Sequence, residues 1–134
     1  MEGRKDDQGK APLHRLPRAF LEQLARALPA DAAERAALRL DLIPPEAIIA
    51  LASVLAYGAN KYGERNWEKG MAWSRPFDAG ERHGLAWWDG EAADPETGMS
   101  HLWHRICNDA FLIAFEARGA SQDDRRASLA ASAL

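Results

Sequence analysis

The sequence predicts an all-α fold of about four main helices, and three observations predict it. Apolar residues recur at helical spacing over long runs, no stretch alternates with period two, and prolines and glycines punctuate those runs where helices start and stop. Short connections between the runs point to a bundle. At 134 residues the chain has room for one core and one site.

Residues 1–12 are charged and carry Gly3, Gly9 and Pro12, the signature of an arm that is disordered or ordered by a ligand. The single domain is expected over residues 13–118. Pro17 suits the start of its first helix, Leu21, Leu24, Ala25 and Leu28 fall on one face, and Pro29 stops it. "DAAERAAL" (Asp31 to Leu38) is a short helix or connector with Asp31 as N-cap. Pro45 and Glu46 open a long helix that Gly63 ends. "GERNWEKGMAWS" is a loop, Ser74 caps a helix reaching to Glu91, and "ADPETG" is turn chemistry. Ser100 or Thr97 caps a last helix through Glu116, and residues 119–134 have the composition of a flexible tail.

Composition excludes several classes. Hydrophobic residues at 47% and charged residues at 28% match an ordinary globular domain, and the longest apolar run, Ala47 to Tyr57, is too short to span a bilayer. The start "MEGRKDDQGK" lacks a signal-peptide core, so a cytoplasmic protein without membrane contact is expected. A net charge of −3 argues against phosphate-driven nucleic-acid binding, and no stable nucleic-acid complex is expected. The lone Cys107 sits among apolar residues and has the character of a small core residue.

The chemistry gathers near residues 90–109. Steps of about 100° per residue set His101, His104 and Asn108 in one arc of an otherwise apolar helix. Glu91, Asp94 and Glu96 stand just before it, so imidazoles and carboxylates can converge without long-range assumptions. Mixed N and O donors suit Mn²⁺, Zn²⁺ or iron, whereas carboxylate and water suit Mg²⁺. On the preceding helix Gly80, His83, Gly84 and Trp87 share a side, the glycines leaving room for a close approach at His83. A polar stripe of the long helix (Glu46, Ser53, Tyr57, Asn60, Lys61) leads into a loop where Lys61, Arg65, Asn66 and Trp67 could hold phosphate and stack on a base, or simply form a solvated surface.

At these residues the chain resembles the phage dATP/dGTP diphosphohydrolases, MazG-like members of the all-α nucleoside triphosphate pyrophosphohydrolases. The matching text is "KDDQGK", "RLDLIPPEAI", "YGANKYGERNWEKGMAWS" and "RHGLAWWDGEAADPETGMSHLWHRICNDAFLIAFE". The resemblance implies a MazG-like helical bundle that uses Mg²⁺ or Mn²⁺ to convert dGTP or dATP to the monophosphate and pyrophosphate. It also implies a homo-oligomer, dimer or tetramer, in the host cytoplasm if phage-encoded. Carried over by the likeness, Glu91, Asp94, Glu96, His101 and His104 form the metal centre, the histidines either completing the metal shell or orienting the carboxylates, with His104 or Glu91 as the catalytic proton acceptor. Lys10, Lys61, Arg65, Asn66, Trp67, His83 and Asn108 are the substrate contacts. Two features depart from the pattern: the segment between Lys10 and Arg39 has the look of an insertion, and the paired ExxE and ExxD helices of MazG enzymes have no plain counterpart.

Two other functions compete. An HD-type phosphohydrolase releasing triphosphate also uses helical histidines and aspartates, but its adjacent His-Asp pair is missing. A helix-turn-helix regulator needs a basic recognition helix, and none is present.

Overall fold

Among the described residues five helices form, each where the sequence places one. In the computed structural model the described residues are Gly3 and 16–127, and among them no β-strand occurs, two isolated bridges apart. The remainder of the expected arm, Lys10 included, lies outside the described residues, as do residues 128–134. The chain divides into two compact units, one ending at Leu42 and one beginning at Ile43. No single described helix is long and apolar enough to cross a membrane.

The first unit holds α1 (Leu16–Ala27), α2 (Ala32–Ala37) and a 3₁₀ turn at Leu40–Leu42. Asp31 caps α2 by accepting from the Glu34 amide at 2.9 Å, as its position before the alanine run predicts. None of the described side chains in this unit is buried, so it supplies no core.

The second unit is built on α3 (Pro45–Tyr62), α4 (Ser74–Trp88) and α5 (His101–Arg118), with α5 packed along both others. Pro45 opens α3 and Gly63, at φ 94°, ends it. Ala50 and Val54 on α3 and Cys107 and Phe115 on α5 are buried. Burial pushes the Cys107 thiol up to about 12, which removes it as a nucleophile. Close packing of α4 on α5 depends on buried Gly80 and Gly84; a Cβ on Gly80 would lie 3.5 Å from Asn108 Cβ. At Gly84 it would run into the Arg105 guanidinium, which lies across that bare backbone.

Four details differ from the sequence expectation. Within the expected loop, Asn66–Lys69 winds into a 3₁₀ turn. Ser74 is the first residue of α4 and not its cap, because its amide and Oγ are both engaged by Asp124, at 2.9 and 2.5 Å. α4 stops at Trp88 and not at Glu91, since Gly90 turns the chain at φ 101°. The residues after α5 are tied down as far as Asp124. Gly119 adopts the left-handed cap conformation, and the chain returns so that Gln122 O accepts from Trp73 N at 3.0 Å. Composition showed this stretch to be polar; it could not show the partners waiting for it.

Candidate metal centre

A helical hairpin turning through residues 89–100 sets His83 of α4 against His101 and His104 of α5. The turn is held by the Ala93–Ser100 bridge, with Asp94 N donating to Met99 O at 2.8 Å and His101 N to Ala92 O at 3.1 Å. Ser100 then caps α5 through the Leu102 amide. Three elements thus deliver side chains to one place.

His83 Nδ1 and His101 Nδ1 stand 2.8 Å apart, and Asp94 Oδ2 is 3.8 Å from His83 Nδ1. One donor atom from each of the three lies within 4.8 Å of the others, the spacing at which a single metal ion is shared. The proton inventory sharpens this. His101 Nε2 meets the Glu91 carboxylate at 2.8 Å, and a carboxylate only accepts, so the neutral form of His101 carries its proton on Nε2 and a lone pair on Nδ1. The two facing Nδ1 atoms therefore need something positive between them: a proton on His83 Nδ1, or a cation bound by both. Asp94 is similarly half committed. Its Oδ1 accepts from the amides of Glu96 and Thr97 at 2.8 and 3.1 Å, leaving Oδ2 toward His83.

Electrostatics favour the ligating forms of His83 and Asp94. Burial is the main force holding His83 below the ordinary histidine range, reinforced by the neighbouring His104 and His101 and opposed by Asp94. Burial likewise lowers His104. For Asp94, burial raises the carboxyl, but the Thr97 and Glu96 amides with His104 and His83 outweigh it and bring it below its usual value. A neutral imidazole at His83 beside an ionised Asp94 is the pairing of protonation states that metal binding requires.

The other expected site residues are distributed around this centre. Glu91 orients His101 from outside. His104 stacks on His83, with ring centroids 4.7 Å apart, and its Nε2 meets Thr97 Oγ1 at 2.7 Å. Glu96 faces α3, where Tyr57 donates to it at 3.2 Å and Lys61 pairs with it. Asn108 donates to the His104 carbonyl of its own helix at 2.8 Å. In the loop before α4, Arg65 pairs with Glu68 at 2.9 Å and Asn66 opens the 3₁₀ turn. Trp67 stacks on Phe111 with centroids 5.0 Å apart, under the Arg118 guanidinium. His83, expected at substrate, stands in the donor cluster, and Thr97, expected only as a possible cap of the last helix, meets His104. The hairpin geometry held the signal for His83, since antiparallel helices joined by a short turn must oppose it to the α5 histidines.

Comparison with known proteins agrees with the placement of these residues in one family. The family model described as dATP/dGTP diphosphohydrolase, N-terminal, matches residues 28–125. A dATP/dGTP diphosphohydrolase of Salmonella phage PMBT28 is 33% identical over 130 residues, which are 97% of this chain and 35% of that relative. The chain thus spans about a third of the relative's length. No solved structure matches it.

Proposed function

Because the chain belongs to the dATP/dGTP diphosphohydrolase family, through the model of its N-terminal region, we propose that it hydrolyses a purine deoxynucleoside triphosphate to the monophosphate and pyrophosphate at the hairpin centre. The observation that carries this reading is the convergence of one donor atom each from His83, Asp94 and His101 within 4.8 Å of one another.

The donor chemistry fits a divalent ion. Two imidazole nitrogens and one carboxylate favour Mn²⁺ or another borderline transition metal over Mg²⁺, which prefers oxygen alone. His83, Asp94 and His101 would hold the ion, with Glu91 fixing the His101 tautomer as outer partners do. Such an ion supplies Lewis acidity to phosphate oxygens and to the attacking water. Glu96 and His104, expected as further ligands, act in this reading from the periphery.

The chain's own residues would do the rest. Water attacks the α-phosphorus in line, and pyrophosphate leaves from the opposite side. Two acceptors flank the centre for the water's proton: His104, whose burial favours the neutral imidazole, and the Glu91 carboxylate. Lys10 and Asn66 keep the substrate-contact role suggested by the sequence, whereas Lys61, Arg65, Trp67 and Asn108 engage groups inside the protein. A homo-oligomer acting in the cytoplasm completes the proposal. Leu85, Trp88, Leu102 and Ile113 are exposed on α4 and α5, Trp88 by 79%, and apolar surface of this kind favours a second copy. Light scattering should give a dimer or tetramer, and a monomer at micromolar concentration would remove that part.

The deciding experiment separates products by anion exchange after incubation of each dNTP with Mn²⁺ or Mg²⁺. Pyrophosphate with dGMP or dAMP is the expected outcome. Intact triphosphate with free nucleoside would assign the site to HD-type chemistry, and absence of any product would discard hydrolysis.

A further inference from the structure

We propose that Lys61 and Tyr57 act together with Glu96 as a tether from α3 that positions Asp94 for the ion, so that these three are positioning residues and neither ligands nor substrate contacts. The inference rests on the proposed function for the identity of the centre, and on the following geometry for everything else.

Asp94 does not hold itself. Its Oδ1 is fixed by the amides of Glu96 and Thr97, so the carboxylate goes wherever the backbone of residues 96–97 goes. That backbone lies in a turn with glycine hinges on both sides, Gly90 at φ 101° and Gly98 at φ 72°. Two side-chain anchors restrain it. From α5, His104 meets Thr97 Oγ1, which also accepts from the Met99 amide at 3.2 Å. From α3, Tyr57 and Lys61 both bind Glu96 Oε1.

Tyr57 and Lys61 are four residues apart and share a helix face, so both reach one carboxylate oxygen. Lys61 stands in the last turn of α3, where the helix dipole favours a cation. Because α3 packs on α5, and α5 carries His101, the tether closes a triangle of α3, turn and α5. The distance from Asp94 to the histidines is then set on both sides. The Lys61–Glu96 pair is 39% and 59% exposed, and pairs so open to water contribute little to global stability. Its effect should therefore appear in the placement of the turn and not in the melting temperature.

The test uses the purified chain with Glu96→Gln, Lys61→Met, their double variant and Lys61→Arg. Three quantities are read: amide hydrogen exchange over residues 92–101, Mn²⁺ affinity by calorimetry, and the KM for dGTP at saturating Mn²⁺. Each single variant should speed exchange in the turn and weaken Mn²⁺ binding by about 10-fold, the lower end of the range for outer partners. The double variant should be no worse than either single one, as expected of two halves of one contact. Lys61→Arg should restore both readouts, and KM should stay constant throughout.

Loss of Mn²⁺ affinity in Glu96→Gln with none in Lys61→Met would make Glu96 a ligand and overturn the tether. A raised KM in Lys61→Met with unchanged exchange would make Lys61 a substrate contact and overturn it equally, as would unchanged exchange and affinity in all variants. Failure of the proposed function would look different: a wild-type chain that binds Mn²⁺ but releases no pyrophosphate. The tether is judged on exchange and metal affinity independently of that result.

Discussion

The two ends of the α4–α5 hairpin contain similar residue types and treat them in opposite ways. Where α4 begins, donors meet acceptors. Ser74 gives its amide and hydroxyl to Asp124, Trp73 gives its ring N–H to Ala120 O at 3.3 Å, and Met71 N reaches Ser121 Oγ at 3.1 Å. Arg125 pairs with Asp123 and lies over the Trp73 ring at 4.8 Å. Where α4 ends, like meets like: two ring nitrogens of the same kind face one another 2.8 Å apart beside a carboxylate oxygen. The first arrangement is complete in itself and holds a fold together. The second can be closed either by a proton on His83 Nδ1 or by a cation between the two nitrogens, and that choice distinguishes a candidate site from a purely structural contact.

Asp94→Asn breaks the comparison most directly. The carboxamide preserves shape and can keep accepting the Glu96 and Thr97 amides through its oxygen, but it puts a neutral group where Oδ2 faces the histidines. Turnover and Mn²⁺ affinity should fall by more than the roughly 10- to 100-fold expected for outer partners. Asp124→Asn, at the other end, should leave both unchanged while lowering the melting temperature. Equal losses of activity in the two variants would erase the distinction between the ends.

Trp67→Ala sharpens it in terms of stability. The ring packs on Phe111 and, at 6.0 Å between centroids, on the buried Phe115. Truncation should cost about 3 kcal/mol in urea unfolding, the low end for a large aromatic because the ring is only half-buried. The KM for dGTP should hold, with Trp67→Phe recovering most of the loss. A raised KM with normal stability would return Trp67 to the substrate.

How much of this the sequence disclosed follows from the range of the forces involved. Helix starts and stops depend on neighbours in the chain, so Asp31, Pro45, Gly63 and Ser100 were legible as boundaries. The approach of Asp94 to His101 was legible because turn and helix are contiguous, whereas His83 comes from the preceding helix. Contacts across distant positions were not. Glu96 and Asp94 are chemically near-equivalent as sequence, and only the arrival of Lys61 and Tyr57 from α3 separates their roles. The loop from Arg65 to Trp67 showed cations and an aromatic plane, but Glu68, Phe111 and Arg118 occupy them in the fold.

The smallest expected effect is on pH dependence, and it locates the unresolved end without any substrate. His83 and His104 are held below the ordinary histidine pKa, by burial first, and return to about 6.5 on unfolding. Below 6.5 the unfolded chain therefore binds more protons than the folded one, and stability rises with pH across that window. The contribution is fully present above 6.5 and is lost as the pH falls toward the depressed folded values. Asp94 and Asp124 also sit below their ordinary range, so their own losses come only below about pH 4 and stay silent between pH 7 and 5. The melting temperature of the metal-free chain should accordingly decline from pH 7 to 5, His83→Gln should flatten that slope, and Mn²⁺ should shift the decline to lower pH by competing with protons. Asp124→Asn should lower the whole curve without changing its slope. An unchanged slope in His83→Gln, or a decline that Mn²⁺ does not move, would detach the titration from the centre and leave the facing imidazoles as packing alone.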